Sequence, residues 1–255
     1  MVPHAFTATL VGGPTALIEY AGLRWLTDPS FDPPGHYERA DAPALHKLVG
    51  PALGEDEIGD VDVVLLSHDH HADNLDAAGR AYLGRARRVL TTAAGAGRLE
   101  VAATGLEPWE PTAVGAASVL AVPAQHGPDG TDHLTGPVIG FVLRADGLPS
   151  VYVSGDNASV DVVAGIVDRV GELEIAVLNA GGARLEGRFG GALLTLGADE
   201  AVAATRLLGA RTVVAVHQEG WAHFSQGPER LREAFAAAGL GDRLETPAPG
   251  ATVTV

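Results

Sequence analysis

Val61-Asp62-Val63-Val64-Leu65-Leu66-Ser67-His68-Asp69-His70-His71-Ala72-Asp73-Asn74-Leu75-Asp76 joins two runs of opposite character. Val61 to Leu66 is short, apolar and rich in β-branched residues, the pattern of a buried strand. The strand ends at Ser67, and six of the next nine residues are His68, Asp69, His70, His71, Asp73 and Asp76. Carboxylates and imidazoles gathered at the end of a buried strand lose solvation with nothing in return unless a cation sits among them. A divalent metal supplies that return, since neutral imidazole and ionised carboxylate are its preferred donors. The competing reading is a polar loop that happens to be rich in histidine. Density, spacing and position on a strand end all favour the metal.

Composition bounds the remainder. A chain of 255 residues suffices for one large α/β domain or two small ones, and no linker-like tract divides it, so a single domain over residues 1–255 is expected. Hydrophobic content of 46% with 33 glycines suits a loop-rich globular enzyme. The 17 basic and 32 acidic residues leave a net charge of −15, a field that repels phosphate backbones and argues against nucleic acid as a partner. There is no cysteine, so any metal is held by nitrogen and oxygen alone. The amino terminus lacks a basic segment followed by an apolar one, and no apolar run approaches a membrane span. A soluble, cytoplasmic protein with a small-molecule substrate and no membrane partner is expected; a homo-oligomer is left open.

Outward from the central stretch, the chain alternates strands with short helices. His4 to Leu10, Ala16 to Tyr20 and Leu23 to Thr27 read as strands, with Ala21-Gly22 a tight hairpin delivering Asp28-Pro29. Leu45 to Val49 reads as a short helix, and Leu75 to Arg85 as a longer one with a basic last turn. Ser118 to Val122 is a strand running into Gln125-His126-Gly127. Val138 to Leu143 and Val151 to Val153 form an antiparallel pair closed by Ser154-Gly155-Asp156. Val160 to Val170 is a helix capped by Ser159, and Ile175 to Leu178 a strand leading into Asn179. Thr212 to Val216 is a strand with His217 on its end, between helices at Asp199 to Leu208 and Glu229 to Ala238. Four strand ends thus present polar residues: the 68–76 cluster, His126, Asp156 and His217. Alone, each of the last three reads as an ordinary turn residue; together they read as one site assembled on a sheet edge.

These residues, in this order and at this wide spacing, resemble the metal motifs of the metallo-β-lactamase superfamily. The run Gly12-Gly13-Pro14-Thr15-Ala16-Leu17-Ile18-Glu19-Tyr20, then Leu26-Thr27-Asp28-Pro29, is similar to its lactonase-like and N-acylphosphatidylethanolamine-phospholipase-D-like branch. The resemblance covers nearly the whole chain. It implies an α/β fold, a four-layer αββα sandwich of two mixed sheets flanked by helices, with a one- or two-metal hydrolytic site on one edge. The family motif runs His-x-His-x-Asp-His, the first two histidines on one metal and the Asp-His pair on the other. Registered from Ser67, it falls on His68 and His70 but meets Ala72 where Asp belongs; registered from Asp73, it meets Asn74 where His belongs. A one-residue insertion after His68 gives His68, His71, Asp73 and Asn74, with His70 displaced yet still open as a ligand. The implied metal residues are therefore His68, His70, His71, Asp73, Asn74, His126, Asp156 and His217.

A neutral amide oxygen is a poorer donor than imidazole nitrogen. The set of His68, His71 and His126 keeps three nitrogens; that of Asp73, Asp156 and His217 has lost one, unless Asn74 instead only caps the helix after it. One or two divalent ions are expected, Zn²⁺ first, with Mn²⁺ or Fe²⁺ as alternatives. A metal lowers the pKa of bound water from near 16 to about 7. The expected activity is hydrolysis, by a metal-bound hydroxide, of a small ester, lactone, amide or phosphodiester, with Asp73 orienting the nucleophile or shuttling its proton. A non-catalytic metal-binding scaffold on the same fold is the alternative. His223 and Asp28 are expected to contact substrate. His133 and Asp129 join them more weakly, while His4, His36 and His46 are read as structural.

Overall fold

A computed structural model of the chain describes residues 5–38 and 43–255. The central strand, Val61–Leu65, explains the layering. Val63 and Leu65 turn to one side and share a core with Phe6, Ile18 and Trp25, whereas Val64 and Leu66 turn to the other and pack with Leu26, Ile58 and Tyr82. Ile175–Asn179 behaves alike: Ile175 and Val177 enter the first core, and Ala176 and Leu178 enter a third with Val163, Ile166, Leu208 and Phe235. Side chains alternate along a strand, so one that is apolar on both faces must be covered on both. Four layers result, with helices outside two sheets and a shared core between them.

The first sheet runs Thr252–Thr254, Phe6–Gly12, Thr15–Tyr20, Leu23–Thr27, Val61–Leu65, Ala86–Thr92, Thr104–Leu106. The second runs Leu244–Glu245, Thr212–Val216, Ile175–Asn179, Val151–Val153, Val138–Ala145, Ala117–Ala124, Pro111–Val114. Each is mixed. In the first, the strands from Leu23 to Leu106 are parallel neighbours; in the second, those from Val151 to Glu245 are. Their carboxyl ends gather on one rim, the usual place for a site in such sheets. Helices Val160–Val170, Ala198–Leu208 and Pro228–Ala237 cover the second sheet, and the shorter Glu55–Ile58 and Ala77–Tyr82 help cover the first. Ser159 caps its helix as expected, accepting a hydrogen bond from Val162 N at 3.2 Å.

Three expectations need correction. Leu45 to Val49 is not a helix: Leu45–Lys47 is a strand paired antiparallel with Gly35–Tyr37. Leu45 and Lys47 are buried and His46 is exposed, a period of two hidden inside a run too short to display it. The helix expected from Leu75 begins at Ala77, because Asp76 is its N-cap, accepting from Gly79 N at 2.8 Å; Asn74 does not cap it. The strand expected from His4 begins at Phe6, and His4 lies outside the described residues. Among the described residues, no helix is long and apolar enough to cross a membrane.

Candidate metal centre

The rim is built by turns with little steric freedom. Gly155 takes a left-handed backbone (φ 55°), and a Cβ there would lie 2.8 Å from Ser67 Cβ, so only glycine lets the Asp156 turn close against the end of the central strand. Gly181 is fixed differently: a Cβ on it would sit 1.8 Å from His217 O. His217 itself is left-handed (φ 60°) and donates its backbone N–H to Gly13 O at 2.7 Å. Such a conformation costs about 1–3 kcal/mol in a non-glycine residue and persists where its surroundings impose it.

Two groups of donors result. His68, His71, His126 and Asp156 form the first, and Asp73, Asp156 and His217 the second; all are buried, and Asp156 belongs to both. In the first, His68 Nε2 is 2.9 Å and His126 Nε2 3.2 Å from His71 Nδ1, and Asp156 Oδ2 is 4.0 Å and 3.8 Å from the same two Nε2 atoms. In the second, His217 Nε2 is 3.4 Å from Asp73 Oδ2 and 3.5 Å from Asp156 Oδ1. Adjacent donors around one tetrahedral zinc ion stand about 3.3 Å apart.

Hydrogen bonding behind the rings tests the fit. His126 Nδ1 lies 2.7 Å from Leu194 O and so carries the proton, leaving a lone pair on Nε2. Ser67 Oγ donates to Asp28 Oδ2 and lies 2.9 Å from His68 Nδ1, which leaves the His68 Nε2 lone pair facing inward as well. Two lone pairs thus face one nitrogen of His71, and a single proton there serves only one of them. In the second group, Asp73 Oδ1, Asp156 Oδ2 and both ring nitrogens of His217 are buried without a hydrogen-bond partner. Native structures rarely leave such atoms unpartnered, and a cation at each point of convergence would take up Asp156 Oδ2 and His217 Nε2, the two that face other donors. The all-nitrogen-and-oxygen donor set suits a divalent transition metal.

Electrostatics agree. Burial, aided by His126, pushes His68 well below the ordinary imidazole range, keeping it neutral and ready to ligate. Burial opposes ionisation of Asp73, but His223 and His217 outweigh it and hold the carboxyl well below its usual value. For His217, burial is outweighed by Asp156 and Asp73, and its pKa rises. Burial, with the charge of Asp156, lifts Asp28 to about 7.

The structure brings together His68, His71, Asp73, His126, Asp156 and His217, the register with one inserted residue. His70 joins neither group; it stands on the wall of the adjacent cavity, its side chain 31% exposed, with Nδ1 3.7 Å from the Asp69 oxygen that also pairs with Arg98. Asn74 is fully buried between carboxylates, its Nδ2 3.2 Å from Asp28 Oδ2 and 3.3 Å from Asp156 Oδ1. Asp28 is corrected outright: it does not line the cavity but lies beneath the site, accepting from Ser67 N, Ser67 Oγ and Asn74 Nδ2. His223 and His133 do line the cavity. Unforeseen was Asn179, whose Nδ2 donates to Asp156 Oδ1 at 2.7 Å; its place at a strand end was the available signal. Lys47 was unforeseen too. Its buried Nζ meets Asp76 Oδ2 at 3.0 Å, and nothing in the sequence separates it from a surface lysine.

Two mixed sheets between helices, carrying histidine and aspartate donors on one rim, define the class of fold and site to which the comparisons can be matched. A family model described as a β-lactamase superfamily domain matches residues 24–218, and the chain belongs to the metallo-β-lactamase superfamily. It is similar to a metal-dependent hydrolase of Pyrococcus abyssi, 26% identical over 182 residues that span 70% of this chain and 76% of the relative. A Pyrococcus horikoshii metal-dependent hydrolase is 26% identical over 199 residues, 76% of this chain and 80% of that one. Among solved structures, an isothiocyanate hydrolase from Delia radicum gut bacteria shares the fold with a TM-score of 0.85 and 22% identity, covering 98% of this chain and 100% of that one. The protein is a metal-dependent hydrolase.

Proposed function

We propose that the first donor group, His68, His71 and His126, and the second, Asp73 and His217, each hold one divalent cation, with Asp156 shared between them, and that the substrate is a small uncharged ester, lactone or amide. Zinc is the expected ion. Bound there, such ions supply Lewis acidity and a nucleophile at neutral pH. The single observation that carries the substrate class is the cavity against the site. It measures about 500 Å³ and, beside the donor residues, is lined by Leu45, Leu134, Leu185, Phe189 and Leu194 together with Glu38, His70, His133, Thr135 and Arg188. Among the described residues Arg188 is its one lysine or arginine, and this mixed wall suits a neutral acyl substrate better than a phosphodiester. The net charge of −15 weighs the same way, against anionic lipid or nucleic acid. Asp73, which lines the cavity and stays ionised, orients the attacking water by accepting its hydrogen bond.

The test is metal analysis of gently purified protein by plasma mass spectrometry, followed by a panel of lactones, aryl esters, amides, phosphodiesters and an alkyl isothiocyanate, the last included for the fold neighbour that bears that name. We expect two divalent ions per chain and turnover of uncharged acyl compounds. Faster hydrolysis of phosphodiesters would sink the substrate assignment, and protein free of divalent metal would sink the site assignment.

A further inference from the structure

The second donor group has a neighbour that its three members leave unexplained. His223 Nε2 lies 3.0 Å from Asp73 Oδ2, the same oxygen that His217 Nε2 approaches to 3.4 Å. This imidazole is held from both sides through its backbone. Ala222 N donates to His46 O at 3.0 Å and Arg184 N to His223 O at 2.9 Å, while Lys47 pairs with Trp221 and Ala183 with Phe224 as isolated bridges. The loop carrying it is therefore clamped between the 35–47 hairpin and the glycine-rich 181–191 segment, and the ring has little freedom to leave Asp73. Asn74, meanwhile, turns its amide nitrogen to Asp28 and Asp156, so the 68–76 motif sends no second imidazole to this end of the site.

We propose that His223 is a positioning residue for the Asp73–Asp156–His217 group: it donates Nε2–H to Asp73 Oδ2 and fixes that carboxylate toward the point the three donors share. The inference rests on the reading that this group holds a cation. His223 acts from outside the group, since the donor atoms of the three mutually clustered residues do not include its own. Its role differs from the substrate contact expected from the sequence, because its Nε2 proton is committed to Asp73 and its Nδ1 is buried. Ligating carboxylates depend on such outer partners, whose loss weakens metal affinity roughly 10–100-fold.

The experiment titrates Co²⁺ into metal-free wild type, His223→Ala and His223→Gln, following visible absorption and heat, with steady-state kinetics on any substrate the panel identifies. We expect two binding steps in the wild type. His223→Ala should weaken one of them roughly 10–100-fold and leave the other in place, with kcat falling and KM little changed. Glutamine keeps an N–H donor in reach of Asp73 and should restore most of the lost affinity, which a purely packing role would not predict. Two wild-type affinities in His223→Ala, a rise in KM alone, or failure of glutamine to rescue each overturns the proposal. A wild type that takes up one Co²⁺ overturns the reading beneath it as well, so the two failures are told apart.

Discussion

Asp28 illustrates how much is decided by one buried carboxyl. Its folded pKa of about 7 stands above the ordinary value of 3.8 because burial and Asp156 oppose its charge. A raised carboxyl pKa means the folded chain holds the proton more tightly, so this contribution to stability is fully present below pH 3.8 and is lost as pH rises through about 7. Asn at position 28 tolerates the left-handed backbone (φ 33°) and carries no charge to lose. In metal-free protein, the stability gap between wild type and Asp28→Asn should therefore shift in favour of the variant between pH 4 and pH 7. Chemical denaturation across that range measures it, and parallel curves would refute the assignment. Asn74 has the complementary task of donating to two carboxylates at once. Asn74→Ala removes both bonds from a buried site; Asp28 Oδ2 keeps Ser67 Oγ and Asp156 Oδ1 keeps Asn179 Nδ2 as donors, so the loss should be about 0.5–1.5 kcal/mol for each bond. An unchanged thermal midpoint would mean that the amide is idle.

At the scale of elements, the buried Lys47–Asp76 pair joins the 35–47 hairpin to the helix that follows the metal motif. Asp76 also accepts from Ser30 Oγ, Phe31 N, Asp32 N and Gly79 N, while Lys47, among the described residues, donates to Asp76 and to Ser30. Breaking a buried pair costs about 3–5 kcal/mol, and the partner left with other donors suffers less. Lys47→Met should accordingly destabilise less than Asp76→Ala, and urea midpoints that reverse this order would count against the network. What was legible in the sequence follows the same physics. Val61 to Leu66 announced a strand because solvation penalises nothing in it, and the 68–76 run announced a site because solvation penalises nearly all of it. The Leu45–Lys47 strand was illegible, since three residues cannot display a period and its partner lies about ten positions away. Lys47 and Arg98 were equally silent, because their importance comes from partners brought near only by folding.

For the whole molecule, both sheets contribute to one inter-sheet core, and Leu65 is a fully buried member of it. Leu65→Ala should cost roughly 2–5 kcal/mol and, since the side chain enters the inter-sheet core and belongs to neither donor group, should leave metal stoichiometry unchanged. The net charge of −15 makes the folded chain repel itself. Raising salt from about 0.01 M to about 1 M shortens the screening length from about 30 Å to about 3 Å, so the thermal midpoint should rise with sodium chloride at fixed metal loading. A falling midpoint would show that attractive surface pairs, such as Arg85 with Asp56, outweigh the repulsion.

Two backbone hydrogen bonds cross from one sheet to the other at the metal rim, His217 N to Gly13 O and Ile139 N to Ser67 O at 3.2 Å. At the opposite end, the turn from Asp146 to Pro149 links strands of the second sheet only, apart from Tyr20 reaching Pro149 O. The sandwich is therefore latched at one mouth and hinged on little but side-chain contact at the other. Its slow breathing should open the far mouth first, leaving the donors from the two sheets in step while the body flexes behind them. Amide exchange should register this as a gradient, slowest at Ile139 and His217 and fastest around Gly147.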